Sequence, residues 1–308
     1  MNLRDLEYIV AIDEHGHFGR AAEACHVSQP TLSGQVAKLE AQLGVSIFQR
    51  DGRQVRATEA GREIVAHARR ALSAAADISA AARAHRDPLS GKLKIGVIPT
   101  LGPYLMPYVL PHASEKLPDA PLVLIEDLTA NLVPLVAEGK LDGALIATNP
   151  EIASLQSIEL FDEPFSVATP PNHPLAAKKS LRKEDLDPAS LLLLTDGHCL
   201  RDQALDLCQH PLAGENAMAD MRATSMETLL HLTAAGYGVT LVPQLAVECG
   251  RATAGQLVIR PLTGVGASRR VRLIYRRNSP RSRALIELAR IIRASLPEGV
   301  RRLGKQAA

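Results

Sequence analysis

Residues 21–50, AAEACHVSQPTLSGQVAKLEAQLGVSIFQR, hold two helix-forming runs separated by a short break. Ala21, Ala22 and Ala24 keep the first run slim enough for a second helix to approach closely. Cys25, His26, Val27 and Ser28 supply the turn. The second run, Pro30 to Gly44, has Ser28 upstream as a cap, proline in its first turn and glycine at its end. Leu32, Val36, Leu39 and Leu43 form its apolar back. Gln29, Thr31, Ser33, Gln35 and Lys38 stand near its start on the other face. Side chains of these types hydrogen-bond base edges and phosphates in a DNA major groove. The spacing therefore predicts a helix-turn-helix, against the plainer alternative of an alanine-rich helical bundle.

Upstream, Leu3, Leu6, Ile9 and Val10 recur at helical spacing. Downstream, QRDGRQVRAT (residues 49–58) predicts a hairpin turning at Asp51 and Gly52. Residues 1–58 carry six bases against seven acids, so a global-charge argument for DNA fails. The positive charge is local: Arg50, Arg53 and Arg56 recur along the hairpin, where they can follow a phosphate backbone.

Residues 59–86 are alanine-rich and contain no proline. Ile64, Ala68, Ala71, Ala75, Ile78 and Ala82 alternate in steps of four and three, the rhythm of paired helices. Alanine is so frequent here that other seams fit too. From Lys92 onward, strand-like runs (KLKIGVI, PLVLIED, DGALIAT, FSVAT, LLLLT, VTLVP, LVIR, RVRLIY) alternate with helical ones such as METLLHLTAAG and SRALIELARIIRASL. That alternation predicts α/β units around largely parallel sheets, as one bilobed domain or two small ones. The charged start, MNLRDLEYIV, has no signal-peptide core, and no apolar run is long enough to span a bilayer, so a cytoplasmic protein is expected. Thiols there stay reduced, and a disulfide would be a signal, not a staple.

Two of the four cysteines, Cys199 and Cys208, lie nine positions apart in DGHCLRDQALDLC (residues 196–208). Leu200, Ala204, Leu207 and Cys208 recur at helical spacing. Over nine residues a helix rises about 13.5 Å and turns the two sulfurs to opposite faces. A disulfide needs Cα atoms within roughly 7 Å, so the pair can join only if the segment refolds. Near a helix start, flanked by His198 and Arg201, Cys199 is expected to favour its thiolate, with Cys208 buried on the apolar side. Two inert buried residues, or a zinc site with His198 and His210, remain alternatives; the spacing suits zinc poorly. Cys25 and Cys249 read as structural.

Residues 21–50 resemble the DNA-binding region of LysR-type transcriptional regulators at Ala21, Ala22, Ser28, Gln29, Leu32, Ser33, Val36, Leu39, Glu40, Leu43, Gly44, Phe48 and Arg50, and the likeness continues through TEAG at 58–61. The resemblance implies a winged helix-turn-helix over 1–58, a linker helix and hinge over 59–90, and a bilobed regulatory domain of periplasmic-binding-protein type over 91–308. One lobe is expected from about 91–163 plus 268–300, the other from 164–267. It implies promoter DNA contacts by Ser28, Gln29, Pro30, Thr31, Ser33, Lys38, Arg50 and Arg53, work with RNA polymerase, and a homotetramer built as a dimer of dimers.

GHCLRDQALDLC further resembles the redox segment of the hydrogen-peroxide-sensing members of that family, at both cysteines and at Gly197, His198, Arg201, Asp202 and Gln203. This likeness implies that Cys199 senses peroxide, that Cys208 closes an intramolecular disulfide, that the oxidised form activates antioxidant genes, and that glutathione and glutaredoxin reset it. It places Thr100, Thr129 and His198 in the peroxide site together with Arg269 or, by a one-residue slip, Arg270. No metal, cofactor, membrane contact or enzymatic turnover is expected. Two alternatives stay open. One is a family member answering a small anionic metabolite, for which Thr224 and Glu227 would form a capping box and Ser225 an anion-suited helix start. The other is a thiol peroxidase, which would need no DNA-reading end.

Overall fold

The computed structural model describes residues 1–51, 54–86, 89–208, 222–249 and 255–303. They form two compact units, Met1–His85 and Arg86–Ala308.

The first unit opens with α1 (Leu3–His15), whose start is closed by a reciprocal pair: the Asn2 side chain accepts from the Asp5 amide, and the Asp5 carboxylate accepts from the Asn2 amide. α2 (Phe18–Ala24) and α3 (Gln29–Leu43) follow with the expected turn between them. Ser28 caps α3 by accepting from the Thr31 amide, and Gly44 ends it in the left-handed region. Leu32, Val36 and Leu39 are buried against Ile9, Ile12 and Ala21. Leu43, expected on that apolar back, is instead 40% exposed, because the helix ends there.

The hairpin of β1 (Phe48–Asp51) and β2 (Gln54–Ala57) is antiparallel. Gly52, expected with Asp51 in its turn, as well as Arg53 and the side chain of Arg50, lie outside the described residues. The Glu40 carboxylate ties α3 to the hairpin by accepting from the Ile47 and Phe48 amides. α4 (Glu59–Arg86) begins under the Thr58 hydroxyl, which accepts from the Gly61 amide. Only glycine fits at 61: a Cβ there would lie 1.9 Å from the Ile47 carbonyl oxygen. The first turns of α4 bury Val65 and Ala68 in the helix-turn-helix core, and Arg69 pairs with Asp13 at 2.9 Å. Further along, Ile78 is 73% exposed.

In the second unit, β3 (Leu93–Val97), α5 (Gly102–Lys116), β4 (Leu122–Glu126), α6 (Thr129–Ala137) and β5 (Gly143–Ile146) alternate as βα units, with β3 parallel to both β4 and β5. The chain then runs into one long strand, β6 (Leu155–Thr169). The short β7 (Leu181–Arg182) and β8 (Leu193–Leu194) lead to α7 (Cys199–Cys208), followed by β9 (Arg222–Ala223), α8 (Met226–Ala234), β10 (Thr240–Pro243) and α9 (Gln244–Glu248). The unit closes with β11 (Val258–Thr263), β12 (Ser268–Arg276), α10 (Ser282–Ala294) and β13 (Arg301–Arg302).

The expectation of largely parallel sheets needs correction. β6 pairs antiparallel with β10, β11, β12 and β13, and β12 pairs antiparallel with β5. The physical reason is β6 itself. Its first part pairs with β12 and its last part with β10 and β11, so a single strand serves both halves of the sheet and later strands return beside it.

Candidate functional site

Arg269 acts electrostatically on Cys199 from one strand, and a second strand holds that arginine. The antiparallel register sets Arg269 of β12 directly across from Glu163 of β6. Both side chains are fully buried, and the Arg269 Nε donates to Glu163 Oε2 at 2.8 Å. The other ends of the guanidinium reach Thr100, which follows β3: Nη1 donates to its hydroxyl and Nη2 to its carbonyl oxygen, each at 2.8 Å. Glu163 Oε1 accepts from the Leu245 amide in the first turn of α9. Pleating turns the next residue the other way: Arg270 faces outward and pairs with Asp162 and Glu159. Of the two arginines left open by the sequence, Arg269 is thus the one joined to Thr100.

Cys199 begins α7 and is only 7% exposed. The approach depends on Gly197, which has φ +93°, and a Cβ there would lie 2.9 Å from Leu128 Cδ1. Leu128 immediately precedes Thr129, the first residue of α6, so this contact packs the start of α7 against the start of α6. The Thr129 hydroxyl is buried and has no hydrogen-bond partner within the described residues.

The expected preference for thiolate is corrected by burial, which pushes the Cys199 thiol above its ordinary value. The positive charge of Arg269 opposes that rise; Asp202 reinforces it, and the backbone amides of Leu200 and Cys199 counter it. Neither flanking cation acts as expected. Burial lowers the pKa of His198, leaving the ring neutral, and Arg201 pairs with Asp196 at 2.6 Å. The helix holds Cys199 and Cys208 at its two ends, and the Cys208 side chain and His210 lie outside the described residues. Gln203 Nε2 donates to the Ala147 carbonyl at 2.9 Å, while its Oε1 is buried without a partner within the described residues.

α8 differs from the expected capping box. Ser225, not Thr224, is the cap, and its hydroxyl accepts from the Thr228 amide. Glu227 sits in the first turn, where the Tyr104 hydroxyl donates to it at 3.3 Å. A helix start already holding a carboxylate is a poor anion site.

At the DNA-reading end, Ser28, Gln29, Pro30, Thr31 and Lys38 are exposed and Ser33 is half-buried. Among the described residues, no helix is long and apolar enough to cross a membrane, and no group of three His, Cys, Asp or Glu side chains is placed to hold a metal ion.

Sequence reasoning missed Glu163. Its signal was a carboxylate, in FDEPFSVAT, inside a strand otherwise apolar enough to be buried.

A helix-turn-helix unit joined in one chain to an α/β unit is the layout of a bacterial transcription regulator. The family described as "Bacterial regulatory helix-turn-helix protein, lysR family" matches residues 3–62, and "LysR substrate binding domain" matches residues 86–297. The chain belongs to the LysR family. Within it, the similarity runs to OxyR proteins. The DNA-binding transcriptional dual regulator OxyR of Escherichia coli (strain K12) is 42% identical over the full length of both chains, and so is the hydrogen peroxide-inducible genes activator of Dickeya chrysanthemi. The solved structure of full-length OxyR C199D from Pseudomonas aeruginosa shares 41% identity with a TM-score of 0.76, covering 96% of this chain and 99% of that one. A hydrogen-peroxide-bound OxyR mutant from Corynebacterium glutamicum shares 36% identity with a TM-score of 0.65, over 96% of this chain and 92% of that one. These relatives are regulators, not enzymes, and the thiol-peroxidase alternative falls with them.

Proposed function

We propose that this chain is a DNA-binding transcription regulator that reads hydrogen peroxide at Cys199 and stores the signal as a Cys199–Cys208 disulfide. The observation that carries this reading is the placement of Cys199, buried at the start of α7 in the field of Arg269. Thr100 is locked to that arginine, and the unpartnered Thr129 hydroxyl lies where α6 meets the start of α7.

The chemistry runs in two balanced steps. The Cys199 thiolate attacks one peroxide oxygen; the S–O bond forms as the O–O bond breaks, and hydroxide leaves and takes a proton to become water. Sulfur is oxidised by two electrons and peroxide is reduced by two. Arg269 supplies positive charge for the developing hydroxide, and the Thr100 and Thr129 hydroxyls orient the peroxide. Neutral His198 has one ring N–H and one acceptor nitrogen with which to move the proton. Cys208 then attacks the sulfenic sulfur, the S–S bond forms, and the S–O bond breaks with loss of water. α7 cannot survive this. Its ends are about 13.5 Å apart as a helix, and a disulfide brings Cα atoms within roughly 7 Å.

The output is promoter DNA, read by Ser28, Gln29, Pro30, Thr31, Ser33 and Lys38 at the start of α3 and by Arg50 and Arg53 on the wing. The exposed Ile78 side of α4 suits pairing with a second copy, in a homotetramer that works with RNA polymerase in the cytoplasm. Glutathione and glutaredoxin reset the thiols. In domain terms the reading assigns 1–58 to DNA, 59–90 to the linker and 91–308 to sensing. The metabolite alternative loses support because Ser225 is engaged as a cap beside Glu227.

One equivalent of hydrogen peroxide, followed by thiol mass spectrometry and promoter footprinting, tests the reading. The expected result is a Cys199–Cys208 disulfide together with a changed footprint. Unmodified thiols, with a footprint that answers an organic acid instead, would overturn it.

A further inference from the structure

The sensing site contains a fully buried carboxylate that the chemistry above does not use. Among the described residues Glu163 is hydrogen-bonded to neither Cys199 nor the threonines; each of its oxygens accepts one hydrogen bond, from Arg269 Nε and from the Leu245 amide. A guanidinium has five N–H groups. Arg269 commits Nε to Glu163 and one hydrogen on each terminal nitrogen to Thr100. Three anchors on two separate segments define the plane of the group and leave two N–H groups for a ligand. Without Glu163 the two bonds to Thr100 remain, but nothing among these contacts fixes Nε, and the plane can tilt about Thr100.

The neighbouring arginine shows what an ordinary pair looks like. Arg270 meets two carboxylates at the surface, where such pairs cost little and contribute little. Burying Glu163 and Arg269 completely carries a desolvation penalty that stability alone does not justify. What the buried pair provides is a fixed direction for a positive charge.

We propose that Glu163 is a positioning residue of the peroxide sensor, acting through Arg269 to hold its free N–H groups toward the reacting oxygens while α9 holds the carboxylate in place. This inference rests on the reading of Cys199 as the sensing thiol. It makes two readouts move in opposite directions. In Glu163→Gln, the amide has one oxygen for two donors, so either Arg269 or Leu245 loses its acceptor. Arg269 also loses the negative charge that partly neutralises it.

The experiment uses the full chain, with Cys199 ionisation followed by ultraviolet thiolate absorbance and peroxide oxidation by stopped flow. For Glu163→Gln the expected result is thiolate appearing at lower pH, yet a rate at full ionisation reduced about tenfold, because the donors are misplaced. A rate at full ionisation equal to wild type would overturn the proposal, as would a rate and a titration that change only with the folded fraction. If that variant does not fold, Glu163→Asp decides. It keeps the charge and shortens the reach, so it should titrate like wild type and react several-fold more slowly; a wild-type rate would overturn the proposal. The wild-type control separates the two ideas. If its Cys199 is not oxidised, the sensing reading fails; if it is oxidised and the variants match it, only the role of Glu163 fails.

Discussion

The strand side and the helix side of the sensing site are bonded very differently. On the strand side, Thr100, Arg269 and Glu163 lock together through three short hydrogen bonds, with a fourth to α9. On the helix side, α7 carries buried polar atoms without partners among the described residues, Arg201 Nε and Gln203 Oε1. An unpaired buried polar atom costs about 1–3 kcal/mol. The two sides therefore suit different tasks. On the proposed reading, the strands hold a charge still, while the helix that carries both cysteines, with two polar atoms unsatisfied among the described residues, is the part that is released. A site bonded equally well throughout would react but would not change shape.

The largest test of this contrast removes the fixed charge. Arg269→Gln should slow Cys199 oxidation by about 100-fold or more, measured by stopped flow, because it deletes the preorganised donor for the leaving hydroxide. It also leaves Glu163 buried without its cation, and urea denaturation should show a loss of about 3–5 kcal/mol. A variant that oxidised as fast as wild type would erase the distinction between the two sides.

Next comes release of the helix. Cys208→Ser should leave Cys199 oxidisable to the sulfenic acid yet block the lasting switch, seen as a dimedone-reactive Cys199 and an unchanged footprint. A persistent peroxide footprint in that variant would show that α7 need not be stapled. A smaller effect tests how the helix is seated. Gly197→Ala puts a Cβ 2.9 Å from Leu128 Cδ1 on a backbone at φ +93°. It should lower stability by about 1–2 kcal/mol, and Leu128→Ala should recover part of that loss by opening space.

The same contrast explains what could be read in advance. Local chemistry was legible: Ser28 and Gly44 cap α3 as their residue types demand, and α7 spans the two cysteines that its apolar spacing outlined. The α/β layout followed from alternating runs. Long-range register was not legible. Glu163 and Arg269 meet across 106 positions, and only the β6–β12 ladder decides that Arg269 turns inward and Arg270 outward. Nor did the residues around Cys199 reveal its burial. His198 and Arg201 look like activating cations in the sequence, yet one is neutral and the other is paired with Asp196. The positive charge that acts on Cys199 comes from a strand seventy positions away in the chain.

Two pH dependences sharpen the comparison at its smallest scale. Burial raises the Cys199 pKa, so at neutral pH only a minor fraction is thiolate, and the oxidation rate should rise about tenfold per pH unit until ionisation is complete. A rate flat from neutral pH upward would mean that Arg269 outweighs burial. His198 titrates in the opposite sense. Its folded pKa is depressed by burial, so the unfolded chain binds its proton more readily. The resulting stability is complete above the unfolded value, about 6.5, and is lost as pH falls from there through the folded value. Urea denaturation between pH 5 and pH 7.5, with His198→Gln as the reference, should show that decline in wild type and less of it in the variant. Parallel curves would place the ring in water and detach it from the sensing side of α7.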